Sequence, residues 1–99
     1  MQNKSNIDFE NIRRMNEIAE VYEMTKQNKK AEKYHINIIK LCDRHPKNEK
    51  MLQYKIHSLN KLNRPYKSLE TTNELLNINP NSLQALFNIL KFLRETSYA

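Results

Sequence analysis

Apolar residues recur along this chain at the three-to-four-residue spacing of a helix, not the alternation of a strand, and they do so in five runs. Ile7, Ile12, Met15, Ile18, Ala19 and Tyr22 predict a first helix from about Asn6 to Lys26, with Ser5 and Asp8 as its capping pair. Ala31, Tyr34, His35, Ile38, Leu41 and Cys42, widened by Ile36 and Ile39, predict a second from about Lys29 to Asp43, capped by Asn28. Met51, Leu52, Ile56 and Leu59 predict a third from about Glu49 to Leu62, capped by Asn48 after Pro46. The fourth lies in NRPYKSLETTNELLNINPNS, residues 63–82. Asn63 breaks the preceding pattern, Pro65 suits a first helical position, Leu69, Leu75 and Leu76 form the stripe, and Pro80 with Asn81 ends it. The fifth runs from about Leu83 to Thr96, capped by Ser82 or Asn81. Connections of two to five residues make neighbouring helices antiparallel. The expectation is a single domain over 6–96 with a frayed N-terminus at 1–5.

Composition narrows this picture. The chain has 99 residues, 38% hydrophobic and 28% charged, with three prolines and no glycine. A β-sandwich or barrel needs many tight turns, which usually need glycine, so the absence favours helices. The formal charge of +6 permits acidic partners without requiring them. A lone Cys42 excludes an internal disulfide and suits a reducing compartment. The polar start MQNKSNIDFE suggests no signal peptide, and no apolar run is long enough to span a membrane, so the expected location is cytoplasmic.

Internal self-similarity is the strongest signal. Pro46 and Pro80, Leu52 and Leu86, and Leu59 and Leu93 are each 34 residues apart. Met15 and Leu52, Tyr22 and Leu59, and Ala31 and Ser68 are each 37 apart, so the first unit holds three extra residues between Ala31 and Pro46. The first unit reads Met15-x2-Ile18-Ala19-x2-Tyr22, then Ala31, His35 and Pro46; the second reads Leu52-x2-Lys55-Ile56-x2-Leu59, then Ser68, Thr72 and Pro80. A third begins Leu86-x2-Ile89-Leu90-x2-Leu93. This resembles the tetratricopeptide repeat, with units at about 12–48, 49–82 and a half unit at 83–96. The chain departs from that pattern in having no Trp, in Ile56 and Leu90 at the small-residue position, and in Lys55 at an aliphatic one. Asn63 stands where the family prefers glycine, and Asn tolerates positive φ.

The resemblance implies an all-α fold in which antiparallel helix-pair repeats stack as a short right-handed α-solenoid of five helices. It also implies a concave groove, lined by the first helix of each pair, that receives a peptide or helix of another protein without catalysis. Register places Arg13, Asn16 and Glu20 there from the first helix; Lys50, Gln53, Tyr54, His57 and Asn60 from the third; and Gln84, Phe87, Asn88 and Lys91 from the fifth. Some relatives of that family clamp a chaperone's C-terminal carboxylate with lysines and asparagines. The matching positions are Asn16, Glu20, Tyr54, Gln84 and Asn88, and the lysines are missing, so that ligand is not expected.

No pattern points to chemistry. Asp8 and Asp43 lack a partner at useful spacing, and Glu17, Glu20 and Glu23 read as a solvated helix face. Cys42-x2-His45 is half of a zinc pattern that neither His35 nor His57 completes, so no metal, no cofactor and no enzyme activity are expected. Lys26, Lys29, Lys30, Lys33 and the segments RPYK and KFLR offer the alternative of a basic nucleic-acid-binding protein, but no continuous stripe joins them. The fifth helix is unusually apolar. If Leu86, Ile89, Leu90 and Leu93 face its predecessor, Phe87 and Phe92 remain as a patch for a homodimer or a partner, unless Tyr98 folds back over them.

Overall fold

The computed structural model describes residues 3–97. It is all-α, with five helices: α1 (Lys4–Met24), α2 (Asn28–Cys42), α3 (Glu49–Lys61), α4 (Pro65–Ile78) and α5 (Leu83–Thr96). Each packs chiefly on its neighbours in sequence. No strand occurs among the described residues, and no helix there is long and apolar enough to cross a membrane.

Local chemistry explains most helix ends. The Asn48 side chain accepts from the Met51 N–H at 3.1 Å, and Ser82 Oγ accepts from the Ala85 N–H at 3.2 Å, so α3 and α5 are capped by residues 34 apart. Pro65 occupies the first turn of α4. Two expectations fail at the other starts. The cap of α1 is Asn3, which accepts from Asn6 N–H at 2.9 Å, so Lys4 and Ser5 are helical and the Ser5–Asp8 pair does not form. At α2 the cap position falls to Gln27, and Asn28 is already helical.

The two hairpin turns are the same turn. Lys26 (φ 61°) and Asn63 (φ 57°), 37 residues apart, both take the left-handed conformation. Gln27 N–H reaches back to Tyr22 O at 2.7 Å, and Arg64 N–H to Leu59 O at 2.9 Å, the six-to-one bond that closes a helix through a left-handed residue. A chain without glycine carries this conformation on a lysine and an asparagine. The three extra residues of the first unit divide between α2, one residue longer than α4, and its exit, residues 43–48, two longer than 79–82.

Small residues set the crossings: Ala19, Ala31 and Ser68 are all buried. One apolar cluster joins Ile12, Ile38, Cys42 and Met51 across α1, α2 and α3; a second joins Leu52, Ile56, Leu75 and Ala85 across α3, α4 and α5. α3 therefore buries two faces, one against each hairpin neighbour.

α5 corrects the expected packing. Its inward face is Ala85 and Asn88, flanked by half-buried Ile89 and Phe92. Asn88 accepts from Asn60 Nδ2 at 2.8 Å and donates to Ser68 Oγ at 2.9 Å and Thr72 Oγ1 at 2.7 Å. Phe92 lies edge-on to Tyr66, with centroids 5.5 Å apart, so it is no free patch. Leu86, Leu90 and Leu93 point outward instead, 44%, 51% and 56% exposed. Their counterparts 34 residues earlier, Leu52, Ile56 and Leu59, are at most 2% exposed, because α4 covers them. Tyr98, the alternative cover for that patch, lies outside the described residues.

Two substitutions test this packing. Ala31→Leu should overpack the α1–α2 crossing and cost about 1–3 kcal/mol in chemical denaturation; a wild-type midpoint would refute the close approach. Asn88→Ala should strand Asn60 and cost about 1–3 kcal/mol, with faster amide exchange in α5. Unchanged exchange there would mean that the amide does not hold the helix.

Candidate binding cleft

Three alternate helices, α1, α3 and α5, contribute side chains to one cleft of about 420 Å³, lined by Phe9, Asn16, Lys50, Gln53, Tyr54, His57 and Gln84. Lys50, Gln53, Tyr54 and His57 share a face of α3 by three- and four-residue spacing. Tyr54 packs edge-on against Phe9, with centroids 5.9 Å apart, and Lys50 Nζ sits 5.8 Å from the centre of the Phe9 ring. Gln84 Nε2 reaches the Gln53 carbonyl at 3.4 Å, a long bond joining α5 to α3 at the rim. The lining carries one lysine and no carboxylate.

Two of these residues are not internally satisfied. Asn16 Oδ1 and His57 Nε2 are buried, and neither has a hydrogen-bond partner among the described residues. Burial first, then the neighbouring His35 and Lys61, pushes the His57 imidazole below its ordinary value of 6.5, against a smaller opposing pull from Glu23 and Glu20. His57 is thus neutral near pH 7, with one nitrogen donating and one accepting.

Beneath the cleft, His35 ties three helices together. Its Nε2 lies 3.1 Å from Glu23 Oε2 on α1, and its Nδ1 lies 2.9 Å from Ser58 Oγ on α3. A carboxylate only accepts, so Nε2 donates to Glu23, and in the neutral ring Nδ1 accepts the Ser58 hydroxyl. His35 and Ser58 are both fully buried, which closes the hydroxyl to any substrate. The His35 and His57 rings stand 6.0 Å apart. Among the described residues, no three His, Cys, Asp or Glu side chains form a metal-binding group.

The other register positions lie elsewhere. Arg13 pairs with Glu10 at 3.0 Å on the exposed side of α1, and Glu20 is exposed and outside the cleft lining. Asn60 and Asn88 bond to each other, with Asn88 in the interior, which corrects its placement in the groove. Lys91 pairs with Glu95 at 3.8 Å, and Phe87 is exposed on the outer side of α5. Sequence reasoning missed Phe9, whose i+3 spacing to Ile12 was the available signal. It also missed the partners of the two aspartates. Asp8 is buried and bound to His45 Nε2 at 2.8 Å, with Arg44 at 3.8 Å, and Asp43 pairs with Lys55 at 2.7 Å.

The lowered His57 value has a definite sign. The unfolded chain takes up this proton at 6.5 and the folded chain only at lower pH, so the His57 contribution to folding stability is lost as pH drops through and below 6.5. Urea midpoints at about pH 7.5 and about pH 5.5 should show a smaller acid loss for His57→Gln than for wild type. Equal losses would remove His57 from the account.

The chain matches no protein-family model and no curated protein sequence.

Proposed function

We propose that this chain is a non-catalytic interaction module of tetratricopeptide type, which holds an extended segment of another protein in the cleft across α1, α3 and α5. The observation that carries the reading is the convergence of alternate helices on one cleft rich in amides. Gln53 and Gln84 can bond a ligand backbone, and Tyr54 with Phe9 supplies a rigid aromatic contact. A peptide unit offers both an N–H and a C=O, which suits the unsatisfied Asn16 oxygen and His57 nitrogen once those side chains turn toward it. Lys50 favours a segment carrying an acidic residue, since no carboxylate in the lining opposes it.

The family reading draws support from the recurrence itself. Left-handed turn residues and their closing bonds repeat at 37, helix caps repeat at 34, and small residues stand at the crossings. Burial, reinforced by Asp43, pushes the Cys42 thiol up to about 12. Cys42 is then an inert packing residue, in keeping with a reducing, cytoplasmic setting.

Panning the intact chain against a library of extended peptides provides the test. Enriched peptides should be acidic. By calorimetry they should lose about tenfold or more in affinity to Gln53→Ala and to Lys50→Glu, while circular dichroism stays unchanged. Peptides that bind both variants like wild type, or a library that yields no binder tighter than about 1 mM, would overturn the proposal.

A further inference from the structure

The outward face of α5 is a second surface, independent of the cleft residues. Leu83, Leu86, Leu90 and Leu93 follow one another at intervals of three, four and three, all exposed, with exposed Phe87 beside them. This is the a and d seam of two heptads. The rotation of α5 is fixed from within. Its inner face is locked by the three hydrogen bonds of Asn88, so the seam cannot turn inward without breaking them. The same face of α3, 34 residues earlier, is covered by a helix. The seam is therefore shaped for a helix.

We infer that its occupant is α5 of a second copy, packed antiparallel about a two-fold axis near Asn88. The interval pattern reads the same in both directions, so an antiparallel copy sets Leu83 against Leu93 of the partner subunit and Leu86 against Leu90 of the partner subunit. Those are the a-to-d layers of an antiparallel pair. Phe87 lies next to the axis and meets its own symmetry mate. No charge lies on the seam, and Lys91, off it, is paired with Glu95 of its own helix. The four seam leucines and Phe87 are 44% to 67% exposed, a contiguous apolar row at the upper end of what a lone chain carries. One helix face from each copy makes a contact at the small end of specific interfaces, which suits a reversible dimer.

Sedimentation equilibrium of the intact chain at about 100 μM should give twice the 11.9 kDa monomer mass. Leu90→Glu, at a position already exposed, should return the mass to that of one chain with the helical signal intact. Geometry is read by cysteine cross-linking, with Cys42 silent because it is buried. Phe87→Cys should oxidise to a covalent dimer. Leu83→Cys should not, because two copies of that position stand about 15 Å apart, beyond disulfide reach. The Leu83→Cys chain should, however, cross-link to a Leu93→Cys chain. A monomeric wild type, as expected if a different protein or further chain covers the seam, overturns the inference. So does a dimer indifferent to Leu90→Glu, or a Leu83→Cys chain that links to itself as readily as Phe87→Cys.

Discussion

A helix of 13 to 15 residues is marginal alone, and every helix after α1 has that length here. Each must be held by packing, chiefly with the helices before and after it. α3 shows the constraint satisfied. Met51 faces Ile12, Ile38 and Cys42 on one side, and Leu52 and Ile56 face Leu75 and Ala85 on the other. The cleft depends on this arrangement, because a helix gripped on two sides can offer a third, polar strip to solvent. Lys50, Gln53, Tyr54 and His57 occupy the strip that α3 has left over.

Polar residues decide how each helix is rotated. Leucine faces tolerate some slip, whereas a buried amide or imidazole must meet its partners or lose them. His35 bonds Glu23 and Ser58, Asn88 bonds Asn60, Ser68 and Thr72, and Asp8 anchors the α2–α3 connection through His45. These pairs span 12 to 37 residues in sequence and fix one orientation for each element.

Local signals were legible. Asn48, Ser82, Pro65 and Asn63 mark their turns through chemistry within three or four residues, and the starts of α3, α4 and α5 follow from them. The rotation of α5 was not legible, because the most apolar stripe was assumed to face inward. Ala85 and Asn88 look weaker on paper, but alanine allows close approach and asparagine finds three partners already on α3 and α4. In the cleft, Asn16, Lys50, Gln53, Tyr54, His57 and Gln84 followed from the register that the repeat resemblance implies, since helical spacing joins positions on one helix and the repeat brings the three helices together. Phe9 lies ahead of the first repeat position and inside a polar stretch, so register did not reach it.

The sequential packing has a consequence for how the molecule comes apart. With contacts made chiefly between adjacent helices, little chain must be looped to form any of them, a topology that folds quickly. It also lets the array open from its ends inward. α5, held along one side only, is the natural first segment to peel away, and α3, clasped from both directions, the last. Whatever sits on α5 therefore guards the gate through which the whole array would unzip.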